Sequence, residues 1–227
     1  MPHRAQVLAE LLARSDIRRA TDLAHVTKPS VSTGFPALDT ELPGGGWPSA
    51  ALTEILPAHE GIGELRLLGP ALAELSRKGR RLAWIAPPYL PYAPALVAAG
   101  IDLSTLLIVR TQSPVDTLWA AEQCLASSAC GAVLLWPQRL KYTELRRLQL
   151  AAEGTSTLAI LFHPPHASSD ASPAALRIAL STTNNGLAVK VIKRRGAALD
   201  RPIVVQIGPP QVSVSATHRP HAGIAAT

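Results

Sequence analysis

Cysteine and aromatic residues are nearly absent from this chain. Cys124 and Cys130 are its only two cysteines, and a pair so placed makes neither a disulfide framework nor a zinc-ligand set. Both fall in a helical pattern and read as small apolar residues in a reducing compartment. Phe, Tyr and Trp together supply 4% of the residues, so Ala, Leu and Val must fill the interior. No uninterrupted apolar run approaches the ~18 residues of a membrane-spanning helix. Residues 1–20 mix His, Arg, Glu and Asp where a secretory signal would carry an apolar stretch. A stapled secreted domain and a membrane span are excluded, and the expected location is cytoplasmic.

Charge is scarce as well, 17% of residues against 47% hydrophobic, which excludes disorder over residues 30–210. A chain of 227 residues is long enough for one substantial core. The charge present leans positive: 22 Lys and Arg against 16 Asp and Glu give +6 and a pI near 9.8. Such a balance is compatible with contact to nucleic acid or to an acidic protein surface and requires neither. The clusters Arg77, Lys78, Arg80, Arg81, then Arg146, Arg147, then Lys193, Arg194, Arg195 are of the kind that solvated helix faces and strand ends carry.

Three regions are expected. Residues 1–30 hold an N-terminal helix and a polar linker. Within the helix, Val7, Leu8, Leu11 and Leu12 form an apolar stripe that must dock on its own domain or on a neighbour, and Arg14, Arg18 and Arg19 suit its C-terminal dipole. Residues 31–210 alternate strand and helix patterns, which implies an α/β core with a mainly parallel sheet flanked by helices. Strands are expected at 51–56, 81–86, 106–109, 132–136 and 157–162, and helices at 63–78, 114–128 and 142–153. The runs 175–181, 187–193 and 202–207 read as antiparallel edge strands. Residues 211–227 lack helical periodicity and are expected to form a flexible tail.

The connection after the first of these strands is the informative one. Pro57-Ala58-His59-Glu60-Gly61-Ile62-Gly63-Glu64 runs from an apolar strand into a helix, the setting of a phosphate-binding loop, G-x-x-x-x-G-K-[ST]. The lysine and hydroxyl residue are missing, and Glu60 and Glu64 would repel phosphate. The reading is a degenerate nucleotide site with no cofactor and no metal.

Four segments then resemble the RecA recombinase core in family order, over roughly residues 30–207. Ser32-Thr33-Gly34-Phe35-Pro36-Ala37-Leu38-Asp39 resembles the S-T-G-x-x-x-L-D opening segment, and Gly44-Gly45-Gly46-Trp47-Pro48 the glycine-rich turn before the loop strand. Gly100-Ile101-Asp102-Leu103-Ser104-Thr105-Leu106-Leu107 resembles the approach to the third strand, and Val189-Lys190-Val191-Ile192-Lys193-Arg194-Arg195 a late basic strand. The departures fall on catalytic elements. Beyond the loop, Ala86-Pro87-Pro88 stands where the family has its water-activating glutamate, and Val133-Leu134-Leu135-Trp136 where it has a Mg²⁺-associated aspartate. With those charges gone together, no ATPase is expected.

Short degenerate RecA-like proteins with this opening resemble the ImuA family, with the SulA cell-division inhibitors more distant on the same scaffold. The resemblance implies a non-catalytic accessory in SOS-induced, error-prone translesion synthesis. Its implied partners are RecA, an ImuB-like Y-family polymerase homologue and an error-prone polymerase alpha subunit. It also places Lys193 and Arg195 where RecA-like proteins present two cations to a neighbour's ATP phosphates. Short connections at Pro137–Tyr142 and about 163–173 leave room only for weak contact with single-stranded DNA. The competing reading is a SulA-like inhibitor acting on FtsZ.

Single residues are weighed against plainer roles. His59 reads as an exposed loop histidine. His163, His166 and Asp170 have a loose ligand-like spacing but lack a fourth ligand. Trp47, Trp84 and Trp119 lie on apolar patterns and read as core, whereas Trp136 before Pro137 reads as an exposed partner contact.

Overall fold

The computed structural model describes residues 29–208. The expected N-terminal helix with Val7, Leu8, Leu11 and Leu12, and the tail at 211–227, lie outside the described residues.

The chain opens on a small ribbon in which Ser30–Val31 (β1) pairs antiparallel with Trp47–Pro48 (β2). Between them lies the short helix Pro36–Glu41 (α1). The Ser-Thr-Gly and Leu-Asp ends of the opening segment are joined by Asp39, whose carboxylate accepts from Ser32 Oγ at 2.7 Å and from the Thr33 amide at 2.8 Å. Gly34 has φ +81°, and a Cβ there would lie 2.4 Å from Pro70 Cβ on the next helix. Only glycine allows both the turn and that approach.

The main sheet has eight strands in the order β10-β9-β8-β3-β7-β6-β4-β5. In chain order these are Ala51–Pro57 (β3), Arg81–Ile85 (β4), Leu106–Val109 (β5), Cys130–Leu135 (β6), Leu158–Phe162 (β7), Leu176–Thr183 (β8), Gly186–Lys193 (β9) and Ile203–Val205 (β10). Strands β3 to β8 pair parallel, while β9 runs antiparallel to both β8 and β10. The central strands β3, β6 and β7 are buried along their whole length, as the near-continuous apolar runs of doubly covered parallel strands require.

Helices cover both faces. Glu64–Arg77 (α2) lays Leu67, Leu68, Ala71, Leu72 and Leu75 over one face, against Leu82, Leu134, Ile160 and Ile178. Ala93–Ala98 (α3) is a short connection before β5. Pro114–Ala126 (α4) and Tyr142–Ala152 (α5) cover the other face through Leu118, Ala121, Leu125, Leu145 and Leu148. Each of those buried leucines contributes about 1.5–3 kcal/mol. Helix α4 starts with Ser113 Oγ accepting from the Asp116 amide and Pro114 in the first turn, a start signal written in the sequence.

Three expectations are corrected. The run at 175–181 is no antiparallel edge: β8 lies inside the sheet, parallel to β3, and of the three runs only β10 is an edge strand, since β9, the one strand that runs against the rest, lies between β8 and β10. Cys130 is the first residue of β6, not helical. Trp119 is 63% exposed, because α4 buries Leu118, Ala121 and Leu125 and the next position along is rotated about 100° from that face.

Candidate functional site

The carboxyl ends of the parallel strands open into one cleft of about 890 Å³, the position where open α/β sheets hold ligands. Its walls are the loop after β3, the proline-rich run after β4, residues 136–140 after β6, and His163 and Pro164 after β7.

The loop after β3 meets the start of α2 with an acidic side chain of its own. Gly63, at φ +119°, precedes the first residue of α2. The Glu64 side chain folds back so that Oε1 accepts from the Gly61 amide at 2.9 Å and Oε2 from the Gly63 amide at 3.0 Å. A helix N-terminus with converging amides attracts an anion, and here the anion is supplied by the chain. Pro57 is buried at the end of β3, Gly63 is buried, and His59, Glu60 and Gly61 are exposed. Glu60 accepts from the Tyr89 hydroxyl at 3.2 Å, which ties the loop to the facing wall. All these residues except Gly63 line the cleft.

The inner wall is aromatic. Trp136 stacks on Phe162 with ring centroids 4.6 Å apart and meets Trp84 at 5.6 Å. Trp136 is therefore half-buried and engaged, contrary to its reading as an exposed partner contact. Trp84 and Trp47 are buried as expected. His163 is buried and its Nε2 has no hydrogen-bond partner. Burial pushes its pKa below the ordinary histidine value, against the pull of the Glu54 carboxylate. His166 and Asp170 are exposed, and no metal-holding group of His, Cys, Asp and Glu forms among the described residues.

A buried ion pair behind the cleft escaped the sequence reading. Glu54, in the middle of β3, is fully buried, and its Oε2 accepts from Arg177 Nε on β8 at 2.7 Å. Ser172 Oγ donates to the other carboxylate oxygen. The Arg177 guanidinium also donates to the carbonyls of Ala167 at 2.7 Å, Asp170 at 2.9 Å and Ser168 at 3.3 Å. It thereby fastens the loop after β7 to the sheet. The signal was present, since a carboxylate inside an otherwise uncharged strand demands a buried partner.

Lys193 stands opposite Arg177 on β9, and its Nζ donates to the Ser172 carbonyl at 2.7 Å. Burial, followed by repulsion from Arg177, lowers its pKa. Arg195 is exposed in the turn beyond β9. The intervening Arg194 donates to the Glu41 carbonyl and anchors that turn to α1. The strand thus leaves both side chains exposed, with Lys193 held against the loop after β7 and Arg195 free of it.

A model of the family of cell division inhibitor SulA matches residues 52–159, from β3 to the start of β7. Protein ImuA of Caulobacter vibrioides is 29% identical over 140 residues, 60% of this chain and 57% of that protein. The chain is similar to proteins of the ImuA and SulA type. The match thus spans little more than half of the ImuA relative's own length. Cell division inhibitor SulA of Pectobacterium atrosepticum is 28% identical over 148 residues, 65% of this chain and 79% of that protein. Protein RecA of Crocosphaera subtropica is 28% identical over 122 residues, 54% of this chain and 34% of that protein. No described helix is long and apolar enough to cross a membrane.

Proposed function

We propose that this ImuA/SulA-type protein is a non-catalytic, RecA-like accessory of SOS-induced error-prone translesion DNA synthesis in the cytoplasm. In this reading it links RecA to an ImuB-like polymerase homologue and an error-prone polymerase alpha subunit. The observation that carries the reading is the Glu64 carboxylate on the Gly61 and Gly63 amides. A nucleotide phosphate would have to displace that carboxylate and face Glu60 beside it, without a lysine to offset either charge. A RecA-like body that keeps the loop and forgoes the phosphate is suited to binding, and the ImuA relationship supplies the process.

Contact with RecA would run through Lys193 and Arg195. Both are exposed, and because Lys193 is engaged with the Ser172 carbonyl, Arg195 carries more of that contact. The apolar stripe Val7, Leu8, Leu11 and Leu12 is assigned to the same or a neighbouring partner surface.

The test is binding of the purified protein to RecA, as free monomer and as ATP-loaded filament on single-stranded DNA, with ATP hydrolysis recorded in parallel. Association without added hydrolysis, lost on Lys193→Glu with Arg195→Glu, is the expected result. Unchanged binding by the charge-reversed protein overturns the assigned surface, and hydrolysis above background overturns the non-catalytic reading.

The SulA family match over residues 52–159 and the 79% coverage of the Pectobacterium protein favour one second reading, an inhibitor of cell division acting on FtsZ. Overproduction separates the two: an inhibitor yields filamentous cells, whereas the accessory alters damage-induced mutagenesis at normal cell length.

A further inference from the structure

The cleft is an acidic spot on a basic protein. Two carboxylates, Glu60 and Glu64, stand at its loop wall against a single permanent cation, Arg139, although the chain as a whole carries +6. Beside Glu60 the facing wall presents Tyr89, Leu90 and Tyr92, which are 72%, 68% and 73% exposed. Carboxylates next to open aromatic faces recognise a cationic side chain, by charge pairing and by cation–π attraction. The unpartnered His163 Nε2 adds one polar group that a peptide backbone can satisfy. A free phosphate or nucleotide is disfavoured by the same carboxylates.

The described chain ends beside the start of α2, next to the loop that forms this wall. After β10, Ile207 closes over Gly63, with its Cδ1 2.5 Å from where a Cβ on that glycine would stand. The Gly208 carbonyl accepts from Arg66 Nη2 at 3.0 Å, two residues along α2 from Glu64. Gly208 thus stands next to the loop that Glu64 caps. Residues 209–227 contain Arg219, flanked by His218 and His221, and no Asp or Glu. An extended chain covers about 3.3 Å per residue, so the stretch from Gly208 to Arg219 reaches roughly 35 Å, enough to cross the cleft.

We propose that the cleft is a peptide site for a cationic, acid-free segment, and that residues 209–227 of the same chain are its occupant, with Arg219 as the group the acidic aromatic wall receives. Tethering at Gly208 gives the segment a millimolar effective concentration, so an intrinsic affinity of only ~100 μM keeps the cleft about 90% filled. The proposal does not rest on the translesion reading, because it needs only the charge of the wall and the point where the chain leaves it.

Hydrogen exchange on the full-length protein tests it. Wild type is compared with Arg219→Glu, a change that leaves residues 29–208 intact, and amides of 86–92 and 136–140 are followed. The expected result is exchange on the order of tenfold faster in Arg219→Glu, reversed by a synthetic 209–227 peptide added in excess. Pairing Arg219→Glu with Glu60→Lys should restore part of the protection. Equal exchange in wild type and Arg219→Glu overturns the proposal. Protection that grows with protein concentration also overturns it, in favour of a second copy as occupant.

Discussion

Glu54 and Arg177 stand opposite each other on the adjacent parallel strands β3 and β8, and their side chains meet at 2.7 Å inside the protein. Removing one charge leaves the other buried, and such losses cost about 3–5 kcal/mol. Arg177→Met is therefore expected to lower unfolding free energy in urea by that amount. Glu54→Gln with Arg177→Met together should cost less than the sum of the single changes. Additive losses would mean that the two side chains do not act as a pair.

His163 makes stability depend on mild acid. Its folded-state pKa is depressed below the ordinary histidine value of 6.5 by burial, so below that pH the unfolded chain binds the proton that the folded one resists. The stability it contributes is present above 6.5 and is lost as pH falls toward the folded value. His163→Gln should flatten that part of a melting-temperature profile between pH 7 and pH 5. An unaltered slope would place the effect on other groups.

Glu64 is expected to behave as a built-in cap. Glu64→Ala frees the Gly61 and Gly63 amides and should cost about 1 kcal/mol, as the loss of an N-terminal cap does. The vacated amides should also make the variant responsive to millimolar pyrophosphate in thermal melts. Wild type should show no such shift. A wild-type shift of equal size would show that the carboxylate yields its place readily.

Cys124 and Cys130 differ in acidity. A hydrogen bond from the Cys130 thiol lowers Cys124 to about pKa 7, while the same bond and burial raise Cys130. Alkylation of Cys124 is expected to show a midpoint near pH 7, and Cys130→Ala should move it toward the ordinary thiol value of 9.0. A midpoint near 9 in both proteins would sink the pairing.

Much of the fold was legible because its signals are local. Leu106–Val109 is the expected strand without adjustment, and α4 begins at Pro114, where the helix was expected to start. The direction of β8 was not legible, since a buried strand shows the same apolar run whether its neighbour is parallel or antiparallel. The roles of Trp119 and Trp136 came out reversed because each hangs on a single step, one helical position for Trp119 and the placing of Phe162 for Trp136. At the site, the loop and its acidic residues could be read directly. The fold of Glu64 onto its own amides could not, and neither could the closure of Ile207 over Gly63, which joins residues far apart in the chain.

In phosphate-binding loops the helix N-terminus is filled or empty according to what the surroundings provide, and that variability is what lets such loops act as switches. Glu64 is covalently present at a fixed concentration from the moment the chain folds. A loop filled in this way keeps one local shape whatever the supply of nucleotide, and under the function proposed above control over the protein comes from its abundance or from what else occupies the cleft.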